Sequence, residues 1–235
     1  LNTGAYVEAN DEEIDVNSVR AVDFNANELD LETFDVDMTI DASAESVYAE
    51  VFVTATGVRA DDVTDSVKIS GGSVDIHLTG YANAADAGEG DDAVYLEAVG
   101  VWSSATYTSM HDVDIDVEMH GSANDSMGYV ETWAYGGWIS GADLASVSVG
   151  ADNAIAVMAT SVGGMNAAYA EALTITADHL LNNEDAVSLS VAGTVSAAAY
   201  AEGGTADANA IAITTYGGGE QGLGAKQDEL EQMAK

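Results

Sequence analysis

The sequence predicts an all-β protein built as a repetitive β-solenoid or a stack of β-arches. Three observations lead there: a recurring Tyr-x-Glu tripeptide, alternation of apolar with polar residues, and the absence of proline from all 235 residues. The tripeptide starts at Tyr6, Tyr48, Tyr95, Tyr129, Tyr169 and Tyr200, at intervals of 42, 47, 34, 40 and 31 residues. A unit repeated at such intervals buries its apolar face only by stacking on its neighbours. Proline has no N–H to give to a ladder, so long stacked ladders exclude it.

Taken in chain order, the first clear strand is Phe34 to Asp41, where Phe34, Val36, Met38 and Ile40 alternate with Asp35, Asp37, Thr39 and Asp41. Period two places every apolar residue on one side, as a half-buried strand requires. A Tyr-x-Glu strand follows from Val47 to Thr54, then a short third strand from Val67 to Gly72 and an alternating one from Val74 to Leu78. The pattern returns at Val113 to Met119, at Val147 to Gly150, at Leu173 to Ala177 and at Val187 to Val191. Val36, Met38, Ile40, Ile76, Leu78, Ile115, Val117, Leu189 and Val191 are therefore expected to be buried in equivalent positions, since a one-residue slip would expose them all. Val, Ile, Thr and Tyr supply strand propensity, and 24 glycines punctuate the turns. Leu223 to Lys235 drops the alternation and gathers helix formers behind Gly217-Gly218-Gly219, which predicts a short C-terminal helix or tail. The expected organisation is a single repetitive all-β domain over 1–222 and a short helix or flexible tail over 223–235.

Charge narrows the function classes. The chain carries 41 acidic residues against five Lys and Arg, a formal net charge of −36. Such a field repels nucleic-acid phosphates and anionic membrane surfaces and favours cations or cationic partners. At 47% hydrophobic, with acids interleaved among apolar residues, the chain has what a packed core needs. No apolar run reaches the roughly 20 residues of a membrane span, so no membrane insertion is expected. The absence of cysteine excludes disulfides and thiolate metal sites. A start at Leu1 instead of Met suggests a processed product, hence an extracellular or cell-surface location.

Candidate chemistry is sparse. Asp112, Asp114, Asp116 and Glu118 project from one face of one strand and form the candidate metal site, with Ca²⁺ the ion that clustered carboxylates favour. The competing reading is a solvated acidic face. His77, His111, His120 and His179 show no zinc-site spacing and are expected in structural or surface roles. The repeat tyrosines and Trp102, Trp133 and Trp138 are expected to stack as ladders across repeats more than to form a sugar-binding platform. No nucleophile elbow, phosphate loop, dinucleotide fingerprint or metalloprotease helix occurs, so an enzyme is not expected, nor any cofactor beyond possible Ca²⁺. At one end Tyr6, Val7 and Glu8 form a Tyr-x-Glu strand without the alternating strand that should precede it. At the other, Ile211, Ile213 and Thr215 form an alternating strand without its successor. The two ends complement each other between molecules, which predicts a homopolymer joined through terminal strands.

The unit from Leu173 to Asn183 and the Ala-Tyr-Ala-Glu tracts at Tyr169 and Tyr200 resemble the repeats of exported prokaryotic β-solenoid surface proteins, among them the filamentous haemagglutinin-type adhesins. The acidic, cysteine-free, repeat-built body is also similar to the self-assembling sheath proteins of methanogenic archaea. The resemblance implies an extracellular structural protein that self-assembles into a fibre, sheath or cell-surface layer. The alternative it leaves open is the binding module of a surface adhesin, directed at a carbohydrate or another cell-surface ligand.

Overall fold

The structure, a computed structural model, describes residues 13–46, 49–84, 93–124, 128–140, 143–178 and 187–216. These form β1 (Glu13–Ser46), β2 (Glu50–Ala84), β3 (Ala93–Ser103), β4 (Tyr107–Ala123), β5 (Tyr129–Ser140), β6 (Leu144–Val149), β7 (Ala154–Val162), β8 (Met165–Asp178), β9 (Val187–Val191), β10 (Thr194–Ala201) and β11 (Thr205–Tyr216). The chain is an all-β solenoid, and among the described residues every strand pairing is parallel. No helix occurs among these residues, so none is long and apolar enough to cross a membrane. The expected C-terminal helix or tail lies outside the described residues.

Each turn lays one stretch of chain on the turn before it. Glu13, Glu50, Ala93, Tyr129 and Met165 stand in one register column, and β11 begins a further turn beside β8. Three faces result. The first stacks residues 50–60 of β2, then β3, β5, β8 and β11. The second stacks 66–70, 107–111, β6 and β9. The third stacks 34–46 of β1, then 72–82, 113–123, β7 and β10.

Alternation decides what points inward. Val36, Met38, Ile40, Ile76, Leu78, Ile115 and Val117 are all buried, each within 2% of complete enclosure. Removing a side chain of that size from water contributes roughly 1.5–3 kcal/mol, so a core of such rows dominates the stability of the stack. Leu189 and Val191 differ from expectation: Leu189 is only partly buried and Val191 is exposed. Among the described residues their strand, β9, pairs with β6 alone, with no further turn on its other side.

Corners impose their own residues. Between the second and third faces, Thr33, Gly71 and Asp112 occupy one column, and all three have left-handed backbones, with φ of 53°, 62° and 54°. Glycine takes this conformation freely and aspartate more readily than most side chains. Midway along the first face the alternation slips, so that Gly57-Val58, Gly100-Val101, Gly136-Gly137 and Ala172-Leu173 each put two successive residues inward. Gly57, Gly100 and Gly136 lie directly against the next turn. A Cβ on Gly100 would come within 2.6 Å of the Gly136 carbonyl oxygen, and one on Gly136 within 2.4 Å of the Ala172 carbonyl oxygen.

The Tyr-x-Glu units do not align as the sequence intervals suggest. Glu131, not Tyr129, stands beside Tyr95, and Trp133 stands beside Glu97 and Tyr169. Tyr200 is not on this face at all: it lies in β10 on the third face, beside Thr160. Conversely Ile211 and Ile213, read as an alternating strand, stack on Leu173 and Ile175 of the first face. Shifts of an even number of residues keep inward residues inward, so alternation by itself does not fix the phase of the motif.

Gly136→Ala should destabilise the solenoid by about 1–3 kcal/mol, the usual cost of overpacking a filled interior, because its new methyl meets a carbonyl that cannot move without breaking the ladder. Urea unfolding of the variant checks this, and an unchanged midpoint would refute the close-approach reading.

Candidate functional site

The outer surface of the first face explains the tripeptide. Residues i and i+2 of a strand point the same way, so a tyrosine can reach its own glutamate, as two do: Tyr95 donates to Glu97 at 3.0 Å and Tyr129 to Glu131 at 2.6 Å. Burial first, and then the Glu97 charge, raises the Tyr95 phenol above its ordinary range. The hydrogen bond to Glu131, with burial behind it, pushes Tyr129 up to about 12. Both phenols stay neutral donors. Glu171 instead accepts from Thr174 at 2.6 Å. Because the units are staggered, Glu97, Glu131 and Glu171 do not sit on one another: Glu97 lies between Thr54 and Trp133, Glu131 between Tyr95 and Ala167, and Glu171 between Tyr135 and Asn209.

The rings on this face form the ladders expected from the sequence. Trp102 and Trp138 are register partners stacked at 5.5 Å and 13°, and Trp133 and Tyr169 are partners at 3.9 Å and 17°. The Arg59 guanidinium lies 5.1 Å from the Trp102 ring centroid, next to the Trp102–Trp138 stack. Ring faces are thus engaged with one another along the solenoid axis. A shallow cavity of about 190 Å³ opens beside Trp102 between Arg20, Thr54, Thr56, Arg59 and Glu97. Its two arginines are already matched: Arg20 pairs with Asp23 at 2.5 Å, and Arg59 holds Asp61 through two nitrogens, keeping that carboxyl below the usual range. Asp23, Asp61 and Asp62 bring carboxylates within 4.8 Å of one another, a grouping the sequence analysis did not find because a turn of chain separates its members. Two of the three carry these arginine partners.

The third face carries the acidic strand. The structure spreads its four candidate metal ligands among separate tasks instead of gathering them. Asp112 forms the left-handed corner. Asp114 anchors the next turn, accepting from the Ala154 N–H at 2.8 Å and the Asn153 side-chain amide at 3.1 Å. Asp116 stacks on Asp75, which stacks on Asp37, giving a column of three like charges. Glu118 stands beside His77, whose Nδ1 lies 3.2 Å away, and accepts from His120 Nε2 at 2.7 Å. Asp75 Oδ1 is enclosed and lies 3.0 Å from His77 Nε2, yet the approach is out of line and leaves this oxygen without a hydrogen bond.

His111 is on the second face, bonded through Nδ1 to Ser148 at 2.7 Å. Of the residues expected to join copies, Ile211 and Ile213 are 41% and 46% exposed on β11, and Thr215 stands beside Ala177. Tyr6, Val7, Glu8 and His179 lie outside the described residues. Comparison of the chain with protein-family models, with curated proteins and with solved structures gave no match.

Burial raises the Asp75 carboxyl above the ordinary aspartate range; His77 opposes this, while Asp116, Asp37 and Glu118 add to it. A carboxyl raised by folding contributes stability that is full below its unfolded value of about 3.9 and is lost as pH rises through its folded value. Asp75→Asn should therefore raise the thermal midpoint at neutral pH and do so less as pH falls towards about 4. A midpoint shift independent of pH would contradict this. The same column predicts that added salt or Ca²⁺ raises the wild-type midpoint, and identical midpoints in chelator, salt and Ca²⁺ would count against it.

Proposed function

We propose that the chain is a non-enzymatic structural protein, located outside the cell, that polymerises end to end into a fibre, sheath or surface layer. The observation that carries this reading is the open side of the last described turn. Among the described residues β9, β10 and β11 pair on one side only, with β6, β7 and β8. Their unpaired N–H and C=O groups form a template for another parallel strand. Apolar side chains accompany that edge: Val191, Ile211 and Ile213 are each more than 40% exposed, and Leu189, Val195 and Ala197 are only partly buried.

A second copy laid on this edge continues the stack with the contacts the interior already uses, and a heterologous contact of this kind propagates. Charge supports growth along the axis over growth sideways, since the outward positions of the third face present Asp35, Asp37, Asp41, Asp114 and Asp116 to solvent. The adhesin reading draws less support, because the ring faces a saccharide would stack on are engaged in the aromatic ladders.

Ile213→Lys places a charge on the open edge, and Ile211→Pro removes an N–H beside it. Both variants should keep a β-rich circular dichroism spectrum yet remain monomeric in light scattering and negative-stain images under conditions where the parent chain polymerises. A parent that stays monomeric across salt and Ca²⁺, or variants that polymerise like the parent, would overturn the proposal.

A further inference from the structure

We propose that the open end takes the β1 edge of a second copy, seated on β11 in the register the interior already uses, so that the polymer is polar. This rests on the end-to-end reading above and adds which two surfaces meet and in what alignment. Among the described residues β1 pairs with β2 alone and β11 with β8 alone. β11 begins a further turn beyond β9 and β10, so it is the strand that an arriving copy meets first. A β1 strand seated there leaves room for one further strand on each of the other two faces.

The columns of the first face fix the alignment. Carried through β2, β3, β5 and β8, the pairings put Val19 in one column with Ala208, Arg20 with Asn209, Val22 with Ile211 and Asp23 with Ala212. A copy added at that register sets half-buried Val22 on exposed Ile211 and, one residue further on, half-buried Phe24 beside exposed Ile213. The column between Arg20 and Val22 runs through Ala21, Gly57, Gly100, Gly136, Ala172 and Ala210. A Cβ on Gly57, Gly100 or Gly136 would meet the carbonyl oxygen of the turn that follows. Ala210 keeps that position small although no following turn lies against it among the described residues, and the Ala21 turn of a second copy would supply one.

Charge gives the joint its direction. β1 carries ten acidic residues and one Lys or Arg, Arg20, whereas β9, β10 and β11 together carry one acidic residue, Asp207. Two β1 edges brought together would set acid against acid. Seated on β11, β1 sets Asp23 on Ala212 and Arg20 on Asn209, with exposed Asp207 two residues away on the same outward side. A long side chain reaches such a diagonal neighbour, so the one arginine of the first edge meets the one acid of the other. Arg20 already pairs with Asp23, and Asp207 extends that pair.

The chain contains no cysteine, so disulfide trapping reads the joint directly. Register partners on neighbouring strands stand about 4.8 Å apart, within the reach of a disulfide. Full-length Asp23→Cys chains mixed with Ala212→Cys chains under polymerising conditions should cross-link to each other and not to themselves. Asn25→Cys, two residues off register, should cross-link to Ala212→Cys less. Arg20→Asp and Asp207→Arg should each raise the concentration at which the chain polymerises by roughly 2–5-fold, the scale of one exposed charge pair, and the two together should restore it. Circular dichroism checks that each variant keeps the β-rich spectrum. A parent chain that never polymerises removes the end-to-end reading itself. If the parent polymerises but Ala212→Cys cross-links only to itself or to neither partner, or the double charge reversal is no better than the single ones, the polar joint alone is wrong.

Discussion

Parallel stacking in register is the constraint on which the rest of this structure depends. Once backbone hydrogen bonds hold residue over residue, each side chain has its neighbours chosen for it at a rise of about 4.8 Å. Inside the coil this is favourable, because apolar rows such as Val36, Val74 and Ile115, or Met38, Ile76 and Val117, meet over their whole length and exclude water. At the corners it is demanding. A conformation needed by one turn is needed by the next, so the left-handed position recurs as Thr33, Gly71 and Asp112, and the close approach on the first face recurs as Gly57, Gly100 and Gly136.

Outside the coil the same rule turns on the sign of charge. The first face keeps Glu97, Glu131 and Glu171 apart by placing other side chains between them, and their own tyrosines hydrogen-bond two of them. The third face does the opposite with Asp37, Asp75 and Asp116, and the Asp75 carboxyl, raised first by burial and further by these neighbours, resists ionisation. Cross-strand pairs of this sort are worth only about 0.2–1 kcal/mol each, well below the burial of one core side chain. The core therefore carries stability, and the outward residues are free to serve ion binding or contact with other molecules.

Much of this was legible in the amino-acid order. Alternation from Phe34 to Asp41 named both the strand and the side it buries, because period two is a property of neighbours. The repeat announced stacking, and the ladders of Trp102 with Trp138 and Trp133 with Tyr169 followed from it. What could not be read was anything that depends on how much chain each turn consumes. Turn lengths vary, so the interval between motifs misplaced Tyr200 and the Ile211 strand, and the direction of pairing emerged only from the coordinates. The meeting of His77 with Glu118 was hidden for the same reason. An offset close to the forty-residue repeat was the available signal, and it required a register that the tripeptide itself misreports. Asp112 and Asp114 looked like free ligands because a corner and a turn anchor leave no mark in an alternating pattern.

The stagger of the tyrosine and glutamate units works as a vernier. If one turn slid by two residues along the first face, the alternating stretches would still point their apolar side chains inward, and within the core only the column of Gly57, Gly100 and Gly136 would lose its alignment. That slide would set Tyr129 on Tyr95 and Glu131 on Glu97, the alignment a simple repeat invites. Two carboxylates would then face each other where a carboxylate now faces a tryptophan. Small outward interactions can in this way add to the check that the glycine column makes inside, and a nearly periodic chain gains from not being periodic on its surface.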